Sequence, residues 1–518
     1  MANIPAISGK PAGRFQLLAH GCAVLGLLLF AVFAPHSIAG AEISLAIAAG
    51  GWLFRTIASR TTGMRRSQLD LPILCFFIWT VASAFLSAEP DISLAKIQSV
   101  TVLFAFYLTQ AIATRRTAVG IICLMIASAM AGTFGSVYDL IRGRGVVVTA
   151  IVAGSPFRHV QVLTVNTDAN ANTQPASLET EIVKDDVIWK VGSERVYSTE
   201  DIDQAIRRAA PNQRLPVSVI RHGEHAEWPG FIVTEQQRQS VSPSGISGSG
   251  RSHRFRASGW TKHYEYFAEI LQMLAQLSLG LCLAHFQNHG TNRRFKLALI
   301  ATAVLAFGIA FTAMRSVLVA FAIGGCVVVW RAAKRSAARF LVTAAIMFVV
   351  SFGVVVVWQT RATQALSLND DSSSLRVQVA RVGLRRILLH PLFGHGMDAI
   401  HRHWSEWGFP GQIMVHLHST PLQIAFDRGL PALFFWLWLM WAWWRVASRA
   451  EFVTRDSGDT NRHGLLLGIT GALAGFFVSS LVNYNFGAGV VALVFWFLAG
   501  ITVVLARDVT KTSSANTR

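Results

Sequence analysis

The chain has 518 residues, of which 52% are hydrophobic and only 14% are charged, and its formal net charge is +18. A mean hydropathy of +0.44 excludes an ordinary soluble protein of this size, because so much apolar surface requires a lipid environment. The basic excess is concentrated in the tails and in short segments between apolar runs, which argues against nucleic acid as a partner and for a membrane.

Twelve membrane-spanning helices are predicted. A span takes roughly 20 apolar residues, and backbone N–H and C=O groups find no hydrogen-bond partner in lipid, so each apolar run must be helical. The predicted spans are residues 16–34, 38–58, 70–88, 97–113, 117–137, 264–287, 295–313, 316–331, 338–358, 421–444, 463–482 and 487–506.

The basic residues indicate how these spans are oriented. The positive-inside rule assigns the Lys- and Arg-rich loops to the cytoplasm, so both termini are predicted to be cytoplasmic and residues 138–263 and 359–420 to lie outside. The first apolar run is interpreted as an uncleaved span rather than a signal peptide, because this orientation requires it. All five cysteines fall within spans, which argues against a disulfide framework or a thiolate metal site.

Residues 1–137 contain the first five spans, joined by short loops. The second outer loop carries Glu89, Pro90 and Asp91. An acidic pair at this place can hold a divalent metal ion, but a helix cap followed by a break at the proline is the favoured interpretation.

A soluble α+β domain is predicted at residues 138–235, between the fifth and sixth spans. Apolar residues alternate and then meet a Gly-Ser-Pro turn at 154–156, which predicts a strand and a turn. Ser198 or Thr199 caps a predicted helix that runs to about Arg208, and further strands follow it. The domain is therefore an insertion on the outer side of a membrane protein.

The strings GVVVTAIVAGSP, DDVIWKV and VSVIRHG in this insertion resemble a bacterial PDZ domain of the kind found in periplasmic proteases. The resemblance implies that a periplasmic peptide or protein adds a strand to a sheet edge. It also implies that the terminal carboxylate of the peptide lies near a loop formed by Gly143, Arg144, Gly145 and Val146. A role as a spacer without a peptide stays open.

Residues 236–263 are rich in Ser, Gly and basic residues and are predicted to be a flexible linker. Spans six to nine occupy residues 264–358. The short turn between the seventh and eighth spans, FTAMRSVLVAF, places Arg315 at the outer membrane surface. An arginine there either extends to the lipid headgroups or binds a ligand, and the residue alone does not separate the two.

Residues 359–420 form a polar outer loop, predicted to be the catalytic loop, with six arginines and six histidines. Guanidinium groups match phosphate oxygens, so the loop suits a diphosphate headgroup. An amphipathic helix is predicted from Leu375 to Leu389, with Val379, Val382 and Leu389 on its apolar face. His418 directly precedes a span and is a candidate general base. A metal site at the His-x-His pairs is disfavoured, because no carboxylate cluster accompanies them.

Three strings in a fixed order resemble the bacterial O-antigen ligase and exopolysaccharide polymerase superfamily: MRSVLVAFAIGG, then Arg376 with HPLFGHGM, then HSTPLQIAFDRG. The resemblance implies a GT-C-like fold and a metal-independent, inverting glycosyltransferase without a cofactor. It assigns the substrate diphosphate to Arg315 and Arg376 and the base role to His418. Supporting roles are expected for Arg381, His416, Ser419 and Gly429. The chain departs from the family pattern at Ala432, where Gly, Thr or Tyr is usual.

The expected function is glycan transfer from an undecaprenyl-diphosphate carrier to lipid A–core or to a growing polysaccharide, at the periplasmic face of a bacterial inner membrane. Polymerisation of repeat units uses the same chemistry and stays open. A third hypothesis is a non-enzymatic transporter of lipid-linked glycan with a peptide-sensing PDZ-like domain. Few charges lie inside the spans, which favours surface chemistry over transport. Residues 421–518 hold spans ten to twelve and a cytoplasmic tail.

Overall fold

A computed structural model of the chain describes residues 13–143, 145–163, 177–221, 224–252, 256–261, 263–332, 371–410 and 416–507. It divides into two compact units: Met1–Thr133 together with Ser258–Arg518, and Phe134–Ala257. The helices are α1 Arg14–Phe33, α2 Ile38–Ser59, α3 Asp70–Leu86, α4 Pro90–Ala95, α5 Phe104–Ile112, α6 Arg115–Arg142, α7 Thr199–Arg208, α8 Glu235–Gln239, α9 Tyr264–His289, α10 Arg293–Thr312, α11 Arg315–Ala332, α12 Asp371–Ile387, α13 Ala399–His403, α14 Thr420–Thr454, α15 Thr460–Ser480 and α16 Gly489–Ala506.

Within the described residues, nine helices are long and apolar enough to cross a membrane: α1, α2, α6, α9, α10, α11, α14, α15 and α16. Two shorter apolar helical stretches, α3 and Ile97–Ile112, coincide with the third and fourth predicted spans. The ninth predicted span, residues 338–358, lies outside the described residues. The predicted class, a helical multi-pass membrane protein with a small inserted sheet region, is confirmed.

The helix α9 is the centre of the membrane unit. Within its most apolar window, 94% of the residues are buried. It packs closely against α15, where a Cβ added at Gly468 would lie 2.5 Å from the Cα of Leu277. Small residues at such a crossing let two backbones approach, and dispersion contacts then hold the helices together in lipid.

The second unit is a sheet with one main helix. Its strands are β1 Val146–Ile151, β2 Val160–Leu163, β3 Ser177–Thr180, β4 Val187–Val191, β5 Glu194–Arg195, β6 Arg214–Arg221, β7 Glu224–Ile232 and β8 Ile246–Arg251. They are arranged in the order β3-β2-β7-β6-β4-β1-β8, with β5 paired to β4. Ser198 and Asp201 form a capping box at the start of α7, and Ile202 and Ile206 bury its apolar face in the core of the unit.

Two expectations for this region differ from the structure. The predicted linker contains α8 and the strand β8, because its Gly- and Ser-rich residues pair their backbone with β1 from Val146 to Ile151. The strand β1 is also paired with β4 at Val146 and Val147. Both edges of β1 are therefore occupied at Val146 and Val147, directly after Gly143 and Gly145. Arg144 lies outside the described residues.

Candidate active site

A break in α14 organises one end of the membrane unit. Gly429 has φ 82° and ψ 171° inside this helix, a conformation that favours glycine. The N–H of Leu430 donates to the carbonyl of Pro391 at 2.7 Å instead of to the preceding helical turn. The next residue, Pro431, has no N–H to donate. Two carbonyl groups of the preceding turn, those of Phe426 and Asp427, therefore lose their helical partners.

The segment HPLFGHGM donates backbone hydrogen bonds to these two carbonyls. The N–H of His395 donates to Phe426 at 2.8 Å, and the N–H of Gly396 donates to Asp427 at 3.0 Å. A Cβ at Gly429 would lie 1.8 Å from the carbonyl oxygen of Leu392, so only glycine fits where the segment crosses the helix. Gly429 thus joins two of the sequence motifs through backbone contacts.

The second outer loop supports the other side of this segment. The N–H groups of Ala88 and Glu89 donate to the carbonyls of Gly394 and His395 at 3.2 and 3.1 Å. The carboxylate of Glu89 lies 3.1 Å from Nε2 of His403, and α4 starts at the adjacent proline. Glu89 is thereby held by the polar loop, and the interpretation as a helix start at Pro90 agrees with this arrangement.

His416 and His418 lie together directly before α14. Their ring centroids are 4.4 Å apart at an interplanar angle of 78°, and the N–H of His418 donates to Nδ1 of His416 at 3.3 Å. His418 has φ 53°, which costs a non-glycine residue about 1–2 kcal/mol. Such conformations persist where the surrounding structure enforces them, and they are concentrated at functional sites.

The turn is held by Gln423, one helical turn into α14. Its Oε1 accepts from the N–H of Leu417 at 2.7 Å, and its Nε2 donates to the buried carboxylate of Asp427 at 2.8 Å. Ser419, the residue before the helix, is also buried. Leu417 points into a small apolar cluster with Val379 and Phe426. The backbone between the two histidines is therefore fixed from both sides.

Both histidines are kept neutral. Burial lowers the pKa of His418 to about 3, and repulsion from His416, once that ring is protonated, and from Arg376 lowers it further. Burial lowers the pKa of His416 to about 4, and Arg376 and His263 contribute electrostatically. An imidazole that is neutral at pH 7 retains a lone pair that can accept a proton.

The helix α12 brings Arg376 to this site. Val379 is fully buried, and a Cβ at Gly383 would lie 2.8 Å from a methyl group of Leu417. Val379, Gly383 and Ile387 lie on one face of the helix because they are three or four residues apart. Arg376, three residues before Val379, lies on the same face. Arg376 is half-buried, whereas Arg381 is exposed.

The predicted apolar face of α12 is correct in part. Val379 is buried and Val382 packs against the apolar cluster. Leu389, however, lies beyond the end of the helix at Ile387 and is 62% exposed. The difference arises because Gly383 and Ile387, rather than Leu389, continue the face that contacts α14.

Arg315 is the first residue of α11 and is exposed. It follows Ala313, which has φ 55° and ends α10. The next residue, Ser316, accepts a hydrogen bond from Nδ2 of Asn483 at 2.9 Å. The carbonyl of Asn483 in turn accepts from the N–H of Thr420 at 3.0 Å. The starts of α11 and α14, which carry Arg315 and His418, are therefore tied to one loop.

That loop and one capping residue were missed at the sequence level. The loop holds Asn483, Tyr484 and Asn485, and the ring of Tyr484 lies 5.5 Å from that of His416. Burial raises the pKa of Tyr484 above its usual range. His263 caps α9 and accepts from the N–H of Glu265. The sequence signal for this loop is the polar string NYN at residues 483–485, between two apolar runs. An ordinary turn between two spans accounts for such a string equally well, so it does not by itself indicate a part in the site.

Across the described residues, no three His, Cys, Asp or Glu side chains converge as metal ligands. Residues 300–437 match the protein family described as O-Antigen ligase. This part of the chain is an O-antigen ligase domain by its match to the family. The match includes α11, α12, the HPLFGHGM segment, His418 and the broken helix α14, so the O-antigen ligase domain contains Arg315, Arg376 and His418. No curated protein matches the chain.

Proposed function

We propose that the protein transfers a glycan from an undecaprenyl-diphosphate carrier to a hydroxyl group of an acceptor, either lipid A–core or a growing polysaccharide. The observation that carries this proposal is that α12, with Arg376 on the same face as Val379 and Gly383, packs against Leu417, the residue between His416 and His418. A proton acceptor and a phosphate-binding cation next to each other are what this transfer requires. The O-antigen ligase domain supports the same class of reaction.

The arginines bind the donor and stabilise its leaving group. Arg376 is half-buried on the face of α12 that packs against Leu417, and Arg315 is exposed at the start of α11. Guanidinium groups hold phosphate oxygens in two-pronged contacts and keep their charge at every physiological pH. In this proposal they neutralise the diphosphate as the bond between the anomeric carbon and its phosphate oxygen breaks, so the transfer needs no metal ion or cofactor.

His418 acts as the base. Its imidazole removes the proton from the acceptor hydroxyl while that oxygen attacks the anomeric carbon from the face opposite the diphosphate, which inverts the configuration. Undecaprenyl diphosphate leaves with the electron pair of the broken C–O bond. Burial lowers the pKa of His418 to about 3 in the protein alone. A bound diphosphate would offset the field of Arg376 and raise the basicity of His418.

The distribution of basic residues supports a bacterial inner membrane location with both termini cytoplasmic and with the site and the inserted unit periplasmic. Peptide binding by the PDZ-like unit is a separate hypothesis. The outermost strands of the sheet are β3 and β8, so an added peptide strand would pair with one of these two edges. The alternative hypothesis, that the inserted unit is a spacer, does not require a free strand edge.

The test is glycan transfer by the purified protein from an undecaprenyl-diphosphate oligosaccharide in EDTA, with and without a lipid A–core acceptor. Product on the core identifies a ligase, and a lengthened donor without it identifies a polymerase. Product in EDTA supports arginines in place of a metal ion. If the folded protein makes neither product, the proposal fails, and movement of the donor across vesicles then tests the transport hypothesis.

A further inference from the structure

Glu269 is a buried carboxylate that the mechanism above does not use. It lies in α9, one to two turns below the outer end of that helix, and is 2% exposed. An ionisable side chain inside a membrane-spanning helix is costly unless polar groups surround it, and it marks a site where a polar group is needed. The groups around Glu269 are therefore informative.

Three donors satisfy this carboxylate. The hydroxyl of Ser479 donates to Oε1, Nδ2 of Asn483 donates to Oε1 at 3.2 Å, and Nδ2 of Asn485 donates to Oε2 at 3.3 Å. All three come from the end of α15 or from the loop that follows it. Glu269 is thus the common acceptor that fixes this loop against the central helix.

The same loop holds the starts of two other helices. Asn483 donates to Ser316 at 2.9 Å. Thr420 donates through its hydroxyl to the carbonyl of Asn483 at 3.1 Å and to Oδ1 of Asn485 at 3.0 Å. Ser316 follows Arg315 directly, and Thr420 is two residues beyond His418. A chain of hydrogen bonds therefore connects Glu269 with Ser316 and Thr420, which lie close in sequence to Arg315 and His418.

We infer that Glu269 is a positioning residue: by holding Asn483 and Asn485 it sets the placement of His418 relative to Arg315. This inference rests on the proposed function for its catalytic consequence. Glu269 accepts hydrogen bonds from Ser479, Asn483 and Asn485, and its proposed effect on the site passes through this loop. A carboxylate suits this position because both of its oxygens accept hydrogen bonds and all three partners are donors. A glutamine would place an NH2 group, which is also a donor, opposite the NH2 group of an asparagine.

Glu269→Gln is the first variant, because it keeps the shape of the side chain and changes only the donor and acceptor pattern. Gln272→Met is the matched control one turn deeper in α9. Gln272 is fully buried like Glu269, and neither of its amide atoms has a hydrogen-bond partner among the described residues. The control therefore alters a buried polar side chain of the same helix without touching the loop.

The expected result is a fall in kcat of about 100-fold for Glu269→Gln with little change in the KM for the donor, because a misplaced base weakens the transition state more than ground-state binding. Glu269→Asp, which keeps both acceptors, should restore part of kcat. Gln272→Met should keep the kcat of the unchanged protein. A normal kcat for Glu269→Gln, or an equal loss in both variants, overturns the inference.

Hydrogen–deuterium exchange gives a readout that does not depend on turnover. Glu269→Gln should speed exchange by about tenfold in peptides covering residues 416–424 and 479–487, while exchange in α1 and α2 stays unchanged. If the unchanged protein transfers no glycan, the proposed function fails, and the exchange data still decide whether Glu269 positions the loop. Unchanged exchange in both peptides overturns the positioning role even when glycan transfer is established.

Discussion

The imidazole rings of His416 and His418 meet edge to face with their centroids 4.4 Å apart. Only Leu417 separates them in the chain, and its side chain is buried on the opposite side, in the cluster with Val379. The left-handed conformation of His418 turns its ring back toward its neighbour. Two histidines this close cannot both be protonated easily, so their titrations are coupled.

The first prediction concerns the pH dependence of transfer. Because burial lowers the pKa of His418 to about 3 in the protein alone, kcat/KM of the unchanged protein should stay flat from neutral pH down to about pH 5. The kcat, which reports the donor-bound state, should fall in that range. His416→Ala removes one cause of the lowering, so the acid limb of kcat/KM should move up toward the ordinary value of a histidine. A kcat/KM that declines below pH 7 in the unchanged protein contradicts this assignment.

The second prediction concerns stability in acid. The folded-state pKa values of His416 and His418, about 4 and about 3, lie below the value of about 6.5 for an unfolded chain. Below pH 6.5 the unfolded state binds more protons than the folded state, so the free energy of unfolding decreases as the pH falls toward 4.

The midpoint of thermal unfolding in detergent, measured at pH 7 and pH 5, checks this expectation. The double variant His416→Gln with His418→Gln should lose less of its thermal stability between the two pH values than the unchanged protein. An equal loss in both would show that other groups, such as His395 with its pKa lowered to about 4 by burial, dominate the acid sensitivity.

The third prediction concerns Arg376. Arg376→Ala should lower transfer by about 100- to 1000-fold, because the diphosphate loses a charged partner as the C–O bond breaks. Arg376→Lys should recover only a small part, since an ammonium group lacks the planar fork of donors. Arg385→Ala is the control, because Arg385 is exposed on the same helix. The measurement is the rate of glycan transfer per amount of folded protein for each variant. Comparable losses in Arg376→Ala and Arg385→Ala would show that Arg376 contributes only to the general positive charge of the surface.

The fourth prediction separates backbone strain from a steric clash. Gly429→Ala should destabilise the fold strongly, because its Cβ would lie 1.8 Å from the carbonyl oxygen of Leu392. Gly458 also has a positive φ, 75°, but a Cβ there has nothing within 4 Å. At Gly429 the ψ of 171° adds strain for any other residue. Gly458→Ala should therefore cost only about 1 kcal/mol of conformational strain. Thermal unfolding of the two variants compares them, and equal costs would rule out the clash.

The apolar runs and the basic loops determined much of this protein from the sequence alone. A span is recognisable because its length and composition are set locally by the thickness of the bilayer. Arg315, Arg376 and His418 were proposed as site residues from their motifs, because each motif is contiguous. The sequence also predicted a small α+β insertion with its helix capped at Ser198, where the structure has a capping box.

Tertiary structure alone decided how these parts meet. Glu269 and Asn483 are 214 residues apart in the chain, yet they share a hydrogen bond, and no local pattern encodes a contact at that separation. The strand β8 was taken for flexible linker because Gly and Ser residues have no side chains to pack, and only the pairing with β1 orders them. The motif contains Gly429 because the carbonyl oxygen of Leu392 leaves no room for a side chain there. This contact cannot be read from the sequence. Composition and periodicity act over a few turns of helix, whereas the placement of one side chain against another depends on packing across the whole unit.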